Sequence, residues 1–255
     1  MATLQSRDNP RVKRWQRLVR DARARHDEGR AMLEGLNAVE GWLRARGAPV
    51  ALVLTETAAA LPGVRALGIS QPVLVSDAVM KAIADTPSPQ GVLAEIEIPV
   101  AATNLAASPG CVFLDALQDA GNLGTILRTA LAFGVRDVVL GPGCVDAWSP
   151  KVLRAAAGAH AGIRIEEPRS LVEAMARFGG KVHCTVPRGG IELAQADLGG
   201  RTGWLFGAEG RGVGADLLAA ASSHVSIPMA REAESLNVAA CAAICLYETA
   251  RRRAQ

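Results

Sequence analysis

From residue 110 onward, the apolar positions fall in short continuous runs separated by segments of helical spacing. "CVFLD" (111–115), "DVVL" (137–140), "KVHCTV" (181–186), "TGWLF" (202–206) and "HVSI" (224–227) read as strands. Helical spacing is predicted over 123–133, around 150–157, over 170–178, near 215–221 and from about 236. Strands that are apolar throughout and alternate with helices predict a mostly parallel sheet covered on both faces. Before residue 100 the pattern differs. "ALVLTET" (51–57) and "QPVLVSD" (71–77) read as strands, and "NAVEGWLRARG" (37–47) and "SDAVMKAIADT" (76–86) as helices, the latter capped by Ser76 or Asp77. "PSPQGVLAEIEI" (87–98) reads as a turn followed by a strand. "PVAATNLAASPG" (99–110) is small, polar and bounded by proline, as a linker would be. The chain is therefore read as α/β, with a small domain at 1–100, a linker at 101–109 and a larger domain at 110–255.

Composition sharpens this. Of 255 residues, 49% are hydrophobic but only 4% aromatic, which suits close-packed α/β layers. The net charge of +3 is unevenly placed: residues 1–30 hold nine Lys/Arg against four acids, so this segment carries the excess. A basic leading helix with Trp15 among its cations is a candidate footprint for nucleic acid, and equally an ordinary solvated helix. The five cysteines show no C-x-x-C spacing, so neither a disulfide framework nor a zinc site is indicated. With no apolar leader and no membrane-length run, the expectation is a reduced, cytoplasmic protein that binds neither metal nor membrane.

Three loops follow strands of the larger domain, where open parallel sheets bind their ligands. "DALQDAGNLG" (115–124) leads into a helix with an apolar stripe of Ile126, Leu127, Ala130 and Leu131, with Arg128 on the polar stripe. Asn122 is the expected N-cap and Gly134 the expected C-cap. Alone, this is a capped amphipathic helix with a solvated arginine. "GAEGRGVG" (207–214) is neither G-x-G-x-x-G nor a P-loop, which argues against a nicotinamide oxidoreductase or a kinase. "PMAREAESLN" (228–237) precedes the last helix.

Together the three loops resemble the motifs of the SpoU (TrmH-like) RNA ribose methyltransferases of the SPOUT class. The first comprises Asn122-Leu123-Gly124, Arg128-Thr129-Ala130 and Phe133-Gly134. The second is Gly207, Glu209-Gly210 and Gly212. The third is Ile227-Pro228-Met229 with Glu234-Ser235-Leu236-Asn237-Val238. "SRDNPRVKRWQRL", "LEGLNAVEGWL" and "TPSPQGVLAEI" resemble that family's small RNA-binding domain. Ala120 stands where the family has proline, and Ala208 where a polar residue is common.

The resemblance implies a smaller N-terminal α/β RNA-binding domain and a knotted, parallel-sheet SPOUT catalytic domain, in which the nearly all-apolar last helix threads an earlier loop. Such a helix is expected to be buried all round. The implied reaction is S-adenosylmethionine-dependent methylation of a ribose 2′-hydroxyl in structured RNA, ribosomal RNA ahead of transfer RNA, by a homodimer. Carried over residue by residue, Thr185, Gly207, Ile227, Met229 and Leu236 hold the cofactor. Ile227 and Leu236 read equally well as core. Arg128 is the implied catalytic residue, either binding a phosphate and favouring the alkoxide or acting as a deprotonated base, although a guanidinium has no ready base form. Asn122, Ser235 and Asn237 would position Arg128 and the ribose, and Glu209 would orient the catalytic loop or Arg128. The rival readings are an RNA-binding scaffold without turnover, a transfer RNA ribose methyltransferase and a base methyltransferase.

Overall fold

The computed structural model describes residues 3–100, 104–208 and 210–253, which form two compact units. The first contains the described residues up to 100 together with 146–161; the second contains those of 104–145 and 162–253.

The first unit opens with α1 (Pro10–Arg20) and α2 (Ala22–Glu28), so the basic leader is two helices, broken where Asp21 leaves helical geometry to cap α2. Then come β1 (Arg30–Glu34), α3 (Leu36–Arg46), β2 (Ala51–Leu54), α4 (Glu56–Ala59), α5 (Pro62–Arg65), β3 (Val73–Leu74), α6 (Asp77–Ile83) and β4 (Val92–Glu97). The sheet order is β1-β4-β2-β3, with β4 antiparallel to both neighbours. Strand β1 has no counterpart in the sequence reading. α1 buries Val12, Trp15, Leu18 and Val19. Trp15 is a core residue rather than a surface platform for bases: it is fully buried, and its indole N–H donates to Glu95 Oε2 at 2.8 Å. Arg14 Nη2 donates to the other oxygen of Glu95 at 2.8 Å, so this buried carboxylate is both neutralised and hydrogen-bonded.

Residues 146–161, expected within the larger domain, belong to the first unit because charge holds them there. Arg25 is buried; it donates to Asp146 from Nε at 2.7 Å and to the carbonyl of Leu18 at 2.6 Å. α8 (Pro150–Ala155) supplies Arg154, whose Nη2 reaches Asp85 at 2.7 Å, and Arg46 Nε reaches the Ala161 carbonyl at 2.8 Å. None of these distant pairings is visible in local periodicity.

The second unit is a seven-stranded sheet in the order β7-β6-β5-β10-β8-β11-β9, parallel at every pairing between named strands. Its strands are β5 (Gly110–Asp115), β6 (Asp137–Leu140), β7 (Arg164–Glu166), β8 (Lys181–Thr185), β9 (Ile191–Glu192), β10 (Thr202–Gly207) and β11 (Ser223–Ser226); its helices are α7 (Ala120–Ala132), α9 (Leu171–Phe178), α10 (Ala215–Ala220) and α11 (Val238–Arg253). The outermost strands β7 and β9 were not expected. Residues 101–103 of the expected linker lie outside the described residues. Leu105, beyond them, is buried in the core of this unit with Phe113, Phe178, Val182 and Leu205.

On the other face, α11 packs on α7 and β10, and Trp204 donates to Thr249 Oγ1 at 2.9 Å. The expectation that α11 is buried all round fails within one chain. Val238, Ala239, Ala242, Cys245, Leu246 and Thr249 are buried, while Ile244 and Tyr247 remain 38% and 54% exposed.

His160 gives the first unit a pH dependence. Its Nε2 lies 2.7 Å from the Ala147 carbonyl, which can only accept, so Nε2 carries the proton and buried Nδ1 has no partner among the described residues. Burial lowers its pKa from 6.5 to about 4. The unfolded chain therefore takes up a proton that the folded state refuses. The stability present above pH 6.5 falls as pH drops from 6.5 toward 4, by up to about 3 kcal/mol. Urea titrations across this range should show that slope in the wild type and a flatter one in His160→Gln; equal slopes would contradict the assignment.

Candidate active site

A parallel sheet directs the carboxyl ends of its strands to one edge. There a cleft of about 520 Å³ opens beyond β8, β10 and β11. Thr185 to Pro187, Gly207 to Val213 without residue 209, Ile227, Met229 and Ser235 to Val238 line it, with Cys241 from the first turn of α11. The volume lies within the usual range for small-molecule sites, about 300–1,000 Å³.

All five residues expected at a cofactor, Thr185, Gly207, Ile227, Met229 and Leu236, line this one cleft, although they are spread over 52 positions of sequence. Ile227 and Leu236 are therefore wall residues rather than plain core; Leu236 is 38% exposed. Gly207 is fixed by space. A Cβ there would lie 2.3 Å from the Gly212 carbonyl carbon and 2.6 Å from the Val213 nitrogen. The loop after β10 folds back on its own strand, closed by Gly212 N–H to the Ala208 carbonyl at 2.9 Å. Gly210 and Gly212 take left-handed φ of 84° and 70°. Asp115, at the end of the adjacent β5, accepts from Gly214 N–H at 2.9 Å and so ties down the far end of the loop. Its place as the lone acid ending "CVFLD" was the available signal. Glu209 lies outside the described residues.

The expected N-cap is corrected. Asp119, not Asn122, caps α7, accepting from Asn122 N–H at 2.7 Å. Ala120 takes the first helical position, which proline also fits, so the cap survives that departure from the family pattern. At the other end, Gly134 terminates α7 as expected: φ is 77°, Gly134 N–H bonds to the Leu131 carbonyl, and Val135 N–H to that of Ala130. Asn122 sits within the first turn, and its Oδ1 accepts from Asn237 Nδ2 at 3.0 Å. Asn237 Oδ1 accepts from Ala239 and Ala240 N–H at 2.9 and 3.2 Å, capping α11. One amide thus joins the first and third motifs.

Asn122 and Asn237 are joined by that bond, and Ser235 lines the cleft with Asn237; Arg128 does not join them. It is exposed on α7 and is not among the residues that line the cleft. Six residues beyond Asn122, it lies about 9 Å along the helix and on a different side.

The cleft also holds a thiol missed in the sequence. Hydrogen bonds from Cys245 and Thr185 hold the Cys241 thiol below its ordinary range against the opposing effect of burial, whereas Cys245 is pushed up. Burial pushes Cys184 up to about 12. Among the described residues no group of His, Cys, Asp or Glu could hold a metal ion.

Comparison with known proteins agrees with this geometry. Residues 109–247 match the SpoU rRNA Methylase family and residues 9–94 the MRM3-like substrate binding domain. The chain is 34% identical to the 23S rRNA (guanosine(2553)-2'-O)-methyltransferase RlmP of Bacillus subtilis, over 97% of this chain and 98% of that protein. The crystal structure of an AdoMet-bound rRNA methyltransferase from Sinorhizobium meliloti superposes with a TM-score of 0.85 at 28% identity, covering 98% of each chain. That of an RNA 2'-O ribose methyltransferase superposes at 0.81 and 28%, covering both chains fully.

Gly207→Ala must push the returning loop away from β10. It should cost roughly 1–3 kcal/mol of stability, as overpacking does, and speed hydrogen exchange over 208–214. Unchanged exchange there would mean that the close approach does not hold the loop.

Proposed function

The chain belongs to the SpoU rRNA Methylase family, and from that premise we propose that its cleft binds S-adenosylmethionine beside the ribose of an RNA substrate. The protein is an S-adenosylmethionine-dependent RNA (ribose-2′-O)-methyltransferase, and ribosomal RNA is its favoured substrate. The observation that carries the reading of the cleft is the convergence of Thr185, Gly207, Ile227, Met229 and Leu236 on one cavity of suitable size.

The cofactor supplies the methyl group when bound; the chain does the rest. Glycines at 207, 210 and 212 let main-chain groups approach a ligand closely, while Ile227, Met229 and Leu236 supply apolar wall. Transfer of that methyl group to the ribose oxygen would leave S-adenosylhomocysteine and pass the hydroxyl proton to solvent water, a reaction that needs an in-line approach. Positioning for that in-line approach supplies much of the rate. Asn237 has committed its oxygen to α11 and its amide to Asn122, so its part is to fix the third loop. Ser235, exposed at the cleft, is free to meet the ribose, and Glu209 is assigned to orienting the loop it belongs to.

Arg128 is assigned to the RNA: it binds the adjacent phosphate and favours the alkoxide. Because it faces away from Asn122, we assign it to the cleft of a second copy in a homodimer. Ala240, Ile244 and Tyr247 form an exposed small and apolar stripe on α11, and Phe133, just past the end of α7, packs edge-on against Tyr247 at 5.9 Å, which gives a second copy an apolar face. The trefoil knot of the SPOUT class is likewise proposed. α11 leaves the cleft and ends against carbonyls of Leu193 and Ala196 through Arg252, and of Pro109 through Arg253. No helix among the described residues is long and apolar enough to cross a membrane, and all five cysteines are free thiols. A cytoplasmic location fits both observations, and the first unit, which matches the MRM3-like substrate binding domain, is assigned to holding RNA.

Single-turnover methyl transfer to unmethylated ribosomal RNA, followed by digestion to nucleosides, tests this. Wild type should yield a 2′-O-methylnucleoside; a base-methylated product or none overturns the reaction assignment. Arg128→Ala should slow the transfer about 10²–10³-fold with unchanged cofactor affinity, as loss of an oxyanion-stabilising donor does. Wild-type rates would remove Arg128 from the mechanism.

A further inference from the structure

Two walls of the cleft differ in how they are held. The turn after β8 is pinned at both ends: Val186 N–H donates to the Val225 carbonyl at 2.9 Å, and Ser226 Oγ donates to the Gly190 carbonyl at 3.2 Å. Gly190 itself lies so close to β11 that a Cβ would meet the His224 carbonyl at 2.8 Å. The opposite wall, residues 227–237, has no helix or strand. It carries Met229, Ser235, Leu236 and Asn237 of the cleft, yet within it Ala233 N–H to the Ala230 carbonyl is a lone local turn bond. Across this gap reaches Arg188, from the pinned turn. A single nitrogen, Nη2, donates to the carbonyls of Arg231 at 2.9 Å and Ala233 at 3.2 Å.

We infer that Arg188 is a positioning residue, a latch that ties the irregular 227–237 wall to the rigid turn after β8 and so shapes the cofactor cleft. It grips main-chain oxygens on either side of Glu232, a grip that does not depend on the side chains of the loop. Asn237 fixes the far end of the same loop through α11 and Asn122, and among the described residues Arg188 is what ties the span from Met229 to Ser235 to another element. The inference rests on the cofactor reading of the cleft for its effect on affinity, but not for its effect on the loop.

The test compares Arg188→Ala and Arg188→Lys with the wild-type full chain. S-adenosylmethionine affinity is read by calorimetry, single-turnover rate at saturating cofactor and RNA, and backbone exchange over 227–237 by mass spectrometry. Arg188→Ala should weaken S-adenosylmethionine about 2- to 10-fold, the range expected for the hydrogen bonds of one donor. It should accelerate exchange in 229–236 and leave the saturated rate within about twofold, as loss of uniform binding does. Arg188→Lys should restore most of both affinity and protection, because both bonds come from one nitrogen that an ammonium can replace. Wild-type exchange in Arg188→Ala overturns the latch, as does Arg188→Lys behaving like Arg188→Ala. Wild-type protein that fails to bind S-adenosylmethionine overturns the cofactor reading instead; faster exchange in Arg188→Ala would still support the latch.

Discussion

A parallel sheet leaves its strands' carboxyl ends together at one edge, and there the backbone runs out of ladder partners. This constraint organises the second unit. The loops after β5, β8, β10 and β11 must find other ways to satisfy and fix their main chain, and each does so differently. The loop after β10 turns back on itself at Gly207 and Gly212. The loop after β5 enters α7 through the Asp119 cap, with Ala116 held at a left-handed φ of 50°. The loop after β11 borrows Asn122 and Arg188. What is left open between them is the cleft, lined by glycines and apolar residues more than by charged side chains. Such a wall suits a ligand recognised by shape and by backbone hydrogen bonds.

Most of this sheet was legible in the sequence. The strands β5, β6, β8, β10 and β11 are apolar runs flanked by helical spacing, and their order along the chain already placed three motif loops at one edge. The misses have physical causes. β7 and β9 are three and two residues long, too short for periodicity to register. β1 follows α2 with only Gly29 between them, so its pattern merges with the basic leader. The Asp119 cap was overlooked because Asn122 is an equally good capping type three positions on; only the backbone decides between them. The grouping of 146–161 with the first unit depends on Arg25–Asp146, a pairing over 121 positions.

The basic leader shows that charge counted in a sequence is partly taken up inside the fold. Of its nine cations, Lys13, Arg14, Arg17, Arg23, Arg25 and Arg30 face acids: Asp8, Glu28, Asp27, Asp146, Glu95 and Glu97. Much of the segment's charge therefore works inside the first unit, holding α1, α2 and β4 together. Arg7, Arg11 and Arg20 have no acidic partner among the described residues, and Arg11 stacks over Trp15 at 4.9 Å. The charge this segment leaves for an outside partner is therefore smaller than its composition suggests. The residues that line the cleft were more legible than the leader because they fall in motifs, each a set of residues with fixed spacing.

The central claim is that the cleft beyond β8, β10 and β11 is the S-adenosylmethionine site. Ultraviolet cross-linking of the wild-type protein with methyl-tritiated S-adenosylmethionine, followed by peptide mapping, tests it most directly. The account predicts label in peptides containing 185–187, 207–213 or 227–241, displaced by unlabelled cofactor. Displaceable label confined to the first unit, or to the 196–200 loop on the opposite side of the second, would contradict it.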